Sequence, residues 1–164
     1  MKKLYLIGGP MGVGKTSACG YLKQLLPQSV FLDGDWCWDA DPFQVTEETK
    51  AMVMDNICHL LNNFIRCTAY EHVIFCWVMH EQSIIDSILR ALDADGCDIK
   101  AVSLLCDAET LRERLLEDVR RGVRTADVIE RSLVRLMQCQ SLNTWKIDTA
   151  GKSALDVAKE IAAL

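Results

Sequence analysis

The sequence predicts an α/β protein whose sheet is mostly parallel. Apolar, strand-like runs alternate with segments of helical periodicity along the whole chain, as in folds built from strand–helix–strand units. Residues 73–79 are almost entirely apolar, which is typical of a central strand covered on both faces. At 164 residues, half of them hydrophobic and a quarter charged, the chain is expected to form a single globular domain over 1–164.

Five strands and six helices are predicted. The strands are expected at 3–7, 29–33, 72–79, 99–105 and 144–148, and the helices at 15–26, 46–66, 81–94, 108–120, 126–141 and 153–163. The second helix is expected to begin at Thr46, where Glu48 and Thr49 form an imperfectly spaced capping box. Because ligands bind beyond the carboxyl ends of strands in such sheets, we expect the strand ends to form one site.

The first strand leads into a glycine-rich turn and a helix. Residues 9–16 read Gly-Pro-Met-Gly-Val-Gly-Lys-Thr and fit the phosphate-binding loop pattern G-x-x-x-x-G-K-[ST]. Glycines let such a loop bend around an anion, and its N–H groups and the following helix dipole favour negative charge. Lys15 can reach the β- and γ-phosphates, and the Thr16 hydroxyl can bind Mg²⁺. The nucleotide-binding residues predicted here are Gly9, Gly12, Val13, Gly14, Lys15, Thr16 and Ser17.

The second strand ends in two carboxylates, Asp33 and Asp35, which the strand-end rule places beside the phosphate-binding loop. One of them could hold Mg²⁺, directly or through water, while the other accepts a proton from a substrate hydroxyl. Asp33 is predicted as the metal-binding partner of Thr16, but the sequence does not divide the two roles. The alternative is a solvated Asp-Gly turn.

Aromatic and titratable residues follow the second and third strands. Trp36 could stack on a substrate ring or pack beneath the next helix, whereas packing is favoured for Trp38. His80 is a candidate substrate contact, with a capping or packing role as the alternative. No acidic residue lies within the third strand, so Mg²⁺ would depend on Asp33 or Asp35, or on Glu81 through water.

Seven of the nine arginines fall between residues 112 and 135 of a chain with net charge −5. Arginine suits phosphate oxygens, and a transferring phosphoryl group needs positive charge around it. Gly122 could act as a hinge, so residues 118–127 are predicted to form a lid. Phosphate contact is favoured for the three arginines around it, Arg120, Arg121 and Arg124. Arg114 is a further candidate, whereas ion pairs on a solvated helix face are favoured for Arg112, Arg131 and Arg135.

Composition excludes several function classes. The net charge of −5 argues against general nucleic-acid binding. No apolar run is long enough to span a bilayer, and the first one stops at Gly8, too early for a signal peptide. The eight cysteines show no C-x-x-C or zinc-finger spacing and are expected to be reduced thiols. A cytoplasmic protein is therefore expected, as a monomer or homodimer without a membrane partner.

Together these residues resemble the small P-loop kinases of metabolites and nucleotides, a group that includes shikimate, gluconate, adenylate and chloramphenicol phosphotransferase-like enzymes. The resemblance rests on the loop at 9–16, Asp-x-Asp at 33–35, the arginine pattern from 114 to 124 and Ile-Asp-Thr at 147–149. It implies a three-layer fold with sheet order 2-3-1-4-5. It also implies an arginine lid that closes over ATP and an acceptor site after the second strand.

Residues 76–81 depart from both best-known members of that group. They lack the glycine triplet that shikimate kinases have after the third strand and the D-G-F-P-R of adenylate kinases. The helix at 46–66 carries only Lys50 and Arg66 as basic residues, which is little for an acceptor that already bears phosphate. The two missing motifs disfavour a shikimate kinase and a standard nucleoside-monophosphate kinase, and the sparse positive charge favours a neutral or weakly charged hydroxyl compound as acceptor.

The function predicted from the sequence is transfer of the γ-phosphoryl group of ATP, with Mg²⁺, to a hydroxyl of a small metabolite or antibiotic-like molecule. A nucleoside or nucleotide kinase is one alternative, and a regulatory ATPase without a small acceptor is another. A GTPase is disfavoured because no N-K-x-D motif is present. A structural domain with a relict loop is disfavoured because Gly14, Lys15 and Thr16 are intact.

Overall fold

Five apolar runs form an all-parallel sheet in the computed structural model, which describes residues 1–164. The strands are β1 Lys3–Gly8, β2 Ser29–Asp33, β3 His72–Cys76, β4 Asp98–Leu105 and β5 Trp145–Asp148. The helices are α1 Lys15–Leu25, α2 Glu47–Arg66, α3 Gln82–Ala91, α4 Ala108–Arg120, α5 Val128–Gln140 and α6 Ala154–Ala162. The strand order is β2-β3-β1-β4-β5, which confirms the order that the family resemblance implied.

β1 lies at the centre of the sheet, between β3 and β4. Alternate residues of this strand point to opposite faces. Tyr5 and Ile7 pack into a core that includes α1, α4, α5 and α6 residues, whereas Leu4 and Leu6 pack into a second core mainly with α2 and α3. All four side chains are essentially inaccessible to solvent, which is the three-layer arrangement expected for a doubly covered parallel sheet.

β3 is three residues shorter than the sequence predicts, ending at Cys76 instead of residue 79. Its neighbour β1 pairs only as far as Ile7, opposite Cys76, before the chain turns into the glycine-rich loop. One further hydrogen bond joins the Trp77 amide to the Ile7 carbonyl at 3.2 Å. Residues 77–79, although apolar, therefore continue beyond the sheet and become part of its carboxyl edge.

α3 also ends three residues before its predicted limit, because Asn62 of α2 caps it. The Asn62 amide donates to the Ala91 carbonyl at 3.0 Å, and its carbonyl oxygen accepts from the Asp93 amide at 2.7 Å. Leu92 is consequently extended, with φ −97° and ψ 141°. A side chain 29 residues away cannot be recognised as a cap from local sequence.

The predicted capping box of α2 is present, with Thr49 in place of the usual acidic residue. Thr46 Oγ1 accepts from the Thr49 amide at 3.1 Å, and Thr49 Oγ1 accepts from the Thr46 amide at 2.8 Å. Both exposed N–H groups at the helix start are thus satisfied. α2 is the longest helix, and neither it nor any other is long and apolar enough to cross a membrane.

Candidate functional site

The phosphate-binding loop joins β1 to α1, and three of its glycines have positive φ: +143° at Gly9, +85° at Gly12 and +101° at Gly14. A Cβ on Gly9 would lie 2.6 Å from the Leu104 carbonyl oxygen of β4, and one on Gly12 would lie 2.6 Å from Leu115 Cδ2 of α4. The loop is therefore pressed against its neighbours at two positions. Gly14 faces open space and is needed only for its backbone angle.

α1 begins directly behind this loop without a side-chain cap and without an acidic residue in its first turn. Its first amide groups are consequently available to an anion. Lys15 Nζ folds back to donate to the Pro10 carbonyl at 2.9 Å, so the ammonium lies over the loop. Burial lowers the pKa of Lys15, while the nearby carboxylates Asp35 and Asp33 act in the opposite direction.

Asp33 is buried, with 6 % exposure, and both of its carboxylate oxygens have partners. Oδ2 accepts from Thr16 Oγ1 at 2.7 Å, and Oδ1 accepts from the Asp35 amide at 3.0 Å. A hydroxyl and a carboxylate in contact are hard oxygen donors suited to Mg²⁺, which ordinarily takes its other ligands from water and substrate phosphates. The structure has no group of three or more acidic, His or Cys side chains arranged to hold a metal.

The Asp35 side chain contacts Trp77, the first residue beyond β3. Trp77 Nε1 donates to Asp35 Oδ1 at 3.2 Å. Gly34 lies so close to the indole that a Cβ there would be 2.6 Å from Trp77 Cδ1 and Cγ. Sequence reasoning counted Trp77 as a strand residue and missed it. The strand-end rule could have identified it had the end of β3 been known.

Trp36, predicted as a substrate contact, lies outside the cavity that contains Asp35. Its side chain is 58 % exposed and packs edge-on against Phe31, with ring centroids 5.2 Å apart. Trp38 packs as expected, edge-on against Phe43 at 4.9 Å and Trp77 at 6.0 Å. The aromatic residue at the site is thus contributed by β3 and not by the segment after β2.

His80, the other predicted substrate residue, does not line the cavity either. Its Nε2 lies 3.5 Å from Glu81 Oε1, and its buried Nδ1 has no hydrogen-bond partner. Burial lowers the pKa of His80, with a further contribution from Arg135, while Glu81 acts in the opposite direction. His80 is therefore a packed side chain beside α5.

Two of the four candidate arginines reach the cavity. Arg114 donates from Nη1 to Thr149 Oγ1 at 3.0 Å and from Nη2 to the Thr149 carbonyl at 3.2 Å. Arg124 donates from Nε to Asp118 Oδ2 at 2.9 Å. Both line the cavity together with Glu113, Glu117 and Asp118, so α4 and the connection to α5 bring charges of both signs to it.

Arg120 and Arg121 do not line it. The Arg120 side chain is 73 % exposed and lies 3.7 Å from Glu117. Arg112 and Arg131 form the surface ion pairs expected of them, with Glu130 and Asp127. Closure of residues 118–127 as a lid remains a prediction. Gly122, at φ +72°, provides the turn that closure of this segment would need.

These side chains surround one cavity of about 620 Å³, hereafter the main cavity. Only Met11, Trp77 and Val78 among its fifteen lining residues are hydrophobic. A smaller cavity of about 220 Å³ adjoins it on the β5 side and shares Gly12, Gly14, Ser17 and Arg114 with it. Val13, Thr149 and Lys152 also line the smaller cavity, so the strand–helix turn after β5 borders the loop as predicted.

Solved structures with the same fold cover nearly the whole chain. The tunicamycin resistance protein of Deinococcus radiodurans is 23 % identical, with a TM-score of 0.72 over 99 % of this chain and 95 % of that one. A gluconokinase from Sinorhizobium meliloti 1021 is 17 % identical, with a TM-score of 0.71 over 98 % and 90 %. Shikimate kinase from Acinetobacter baumannii is 20 % identical, with a TM-score of 0.64 over 99 % and 91 %. At these identities the likeness establishes the fold.

The sequence of this chain also matches a family profile. No curated protein is significantly similar to it in sequence. Residues 6–138 match the family described as AAA domain, a span that contains the phosphate-binding loop, both carboxylates and all the candidate arginines. This match implies nucleotide binding. The chain therefore belongs to the AAA domain family and has the fold of the small P-loop kinases.

Proposed function

We propose that this protein transfers the γ-phosphoryl group of ATP to a hydroxyl of a small molecule. The proposal depends mainly on one observation, the different hydrogen-bond partners of the two carboxylates. Both carboxylates line the main cavity, but Asp33 is joined to Thr16 of the phosphate-binding loop, whereas Asp35 is joined to Trp77. One carboxylate beside the loop hydroxyl, where it can bind the metal, and a second one able to take the hydroxyl proton suit ATP-dependent transfer to an alcohol.

The phosphates of ATP would lie on the loop amides and the start of α1, with Lys15 reaching the β- and γ-phosphates. The smaller cavity on the β5 side is the place for the nucleoside, which leaves the β2–β3 side of the main cavity for the acceptor. Thr16 and Asp33 would hold Mg²⁺, which when bound neutralises charge on the phosphate oxygens.

In the transfer, the acceptor hydroxyl oxygen forms a bond to the γ-phosphorus as the bond from that phosphorus to the β–γ bridging oxygen breaks. Asp35 takes the hydroxyl proton, and ADP leaves with the electron pair of the broken bond. Asp35 Oδ1 is occupied by Trp77, so Oδ2 is the free acceptor. Lys15, Arg114 and Arg124 stabilise the negative charge of the transferring group.

An ATPase without an acceptor is the less favoured function. It requires a residue that positions a water against the γ-phosphate, and Glu81 was the candidate from the sequence. Glu81 lies beside His80 and does not line the main cavity. A nucleoside kinase is a special case of the proposed reaction and is included in its test.

The test is ADP release from ATP and Mg²⁺ by the purified protein, with pools of nucleosides, nucleotides, sugars, sugar acids and antibiotics as acceptors. Lys15→Ala serves as the blank, because it removes the ammonium over the loop. We expect release that depends on one acceptor pool and disappears in Lys15→Ala. Slow release that no acceptor changes would support the ATPase instead.

A further inference from the structure

The β2–β3 side of the main cavity is the part that a bound nucleotide would leave free. Asp33 and Asp35 follow β2, and Trp77 and Val78 follow β3. The strand order places these two strands on one side of β1, with β4 and β5 on the other. A nucleotide with its phosphates on the loop after β1 and its base towards β5 therefore does not cover Trp77.

No lysine or arginine lines that side of the cavity. The three cationic side chains of the main cavity are Lys15 at the start of α1, Arg114 of α4 and Arg124 of the connection to α5. Each already contacts a protein oxygen, of Pro10, Thr149 and Asp118 respectively. Lys15 is close enough to interact with Asp35, but in the proposed reaction it is engaged by the phosphates of ATP. An acceptor carrying a carboxylate or phosphate would therefore meet Asp35 without a free opposite charge, which disfavours anions.

Trp77 provides the largest apolar surface on this side, and its position is fixed. The indole N–H is held by Asp35 at 3.2 Å, the backbone amide by the Ile7 carbonyl at 3.2 Å, and Trp38 lies edge-on at 6.0 Å. Gly34 leaves no room for a side chain between β2 and the indole. A ring held in this way is a preorganised wall for a flat or cyclic ligand.

We propose that Trp77 and Asp35 together form the acceptor subsite, and that the acceptor is an uncharged ring compound bearing a hydroxyl. The carbon face of its ring packs against the indole while the hydroxyl donates to Asp35 Oδ2. This inference rests on the proposed transfer reaction and names the class of its acceptor. Sugars, cyclitols and nucleosides belong to that class.

The test uses matched acceptors that differ in charge: glucose with glucuronate, and uridine with uridine monophosphate. In the pair that supports ADP release, we expect the uncharged member to have a kcat/KM at least roughly tenfold higher than the charged member. In Trp77→Ala we expect the KM for this acceptor to rise roughly tenfold and the KM for ATP to stay unchanged. Trp36→Ala is the matched control, because it removes an exposed tryptophan outside the cavity.

Trp77→Phe separates the ring from its hydrogen bond. It keeps an aromatic face but loses the N–H that holds Asp35, so we expect kcat to fall while the acceptor KM changes little. If Trp77→Ala does not fold, Trp77→Phe still tests the inference, because the phenylalanine largely conserves the packing volume.

Three results would overturn the inference. Preference for the anionic member of a pair, with release still dependent on Lys15, would reject it and leave the transfer reaction intact. Equal kinetics of Trp77→Ala and Trp36→Ala would do the same. If no acceptor of either charge gave Lys15-dependent release, the transfer reaction itself would be wrong and the inference would fall with it.

Discussion

Thr16 Oγ1 donates to Asp33 Oδ2 at 2.7 Å, joining the first turn of α1 to the end of β2. This contact assigns different surroundings to two carboxylates that are only two residues apart. Asp33 is buried and paired with the loop, whereas Asp35 is exposed to the main cavity and held by Trp77. In the proposed reaction, Asp33 would therefore be on the metal side and Asp35 on the acceptor side.

Asp33→Asn is expected to weaken the binding of the Mg²⁺ that the reaction needs. The amide keeps the size of the side chain but has no charge and offers one oxygen where the carboxylate offers two. The Mg²⁺ concentration for half-maximal ADP release should rise by roughly 10- to 100-fold. Asp39→Asn, an exposed carboxylate beyond the site, is the control. An unchanged Mg²⁺ titration for Asp33→Asn would assign the metal elsewhere.

Arg124→Ala is expected to reduce kcat far more than Arg120→Ala. Arg124 lines the main cavity, positioned by Asp118, whereas Arg120 is a surface residue beside Glu117. Loss of a charge that stabilises the transferring group should lower kcat by roughly 100- to 1000-fold. Loss of Arg120 should change it less than about threefold. Equal losses would mean that residues 118–127 rearrange on nucleotide binding and bring Arg120 to the phosphates.

Gly9→Ala is expected to destabilise the fold, because its Cβ would meet the Leu104 carbonyl oxygen at 2.6 Å and its φ is +143°. The free energy of unfolding should fall by more than about 1 kcal/mol. Gly20→Ala, in the interior of α1 with no atom within 4 Å of the new Cβ, should raise it by about 1 kcal/mol. Urea unfolding of both variants checks the contrast, which would be wrong if both changed stability in the same direction.

His80 is expected to make stability depend on pH below neutrality. Burial and Arg135 lower its pKa in the folded protein, so the unfolded chain, with a pKa of about 6.5, binds this proton more tightly. Its contribution to the free energy of unfolding is therefore complete above about pH 6.5 and is lost as the pH falls towards the lowered value. His80→Gln should flatten the pH dependence in that range.

Urea unfolding between about pH 5 and 8 measures this effect. His59→Gln, which removes a histidine at an exposed position of α2, is the control. A His80→Gln curve parallel to that of the unsubstituted protein would show that His80 does not titrate differently in the two states.

Much of the fold and half of the site could be predicted from local sequence. The positions of the strands and helices follow from periodicity. The loop at 9–16 is recognisable because its glycines and Lys15 serve one local purpose, anion binding at the start of a helix. Thr46 and Thr49 likewise cap α2 through contacts within one turn. Each of these features depends on residues close together in the chain.

The features that could not be predicted depend on contacts between distant segments. Trp77, and not Trp36, lines the main cavity. The reason is that β3 ends at Cys76, where its neighbour β1 turns into the glycine-rich loop, and this end depends on strand pairing. Asn62 ends α3 from another helix. Arg124 lines the main cavity, whereas Arg120 and Arg121 do not. The difference depends on which side of α4, and of the segment that joins it to α5, faces the loop.

The sequence by itself determined that this chain has a phosphate-binding loop beside two carboxylates on a parallel sheet, because those features depend on local backbone geometry. Only the tertiary structure decided that Asp33 pairs with Thr16, that Asp35 is held by Trp77, and that Arg114 and Arg124 face them. The physical reason is that hydrogen bonds and burial are set by distance in space. Residues 17 or 42 apart in the chain come within bonding distance only once the strands are ordered.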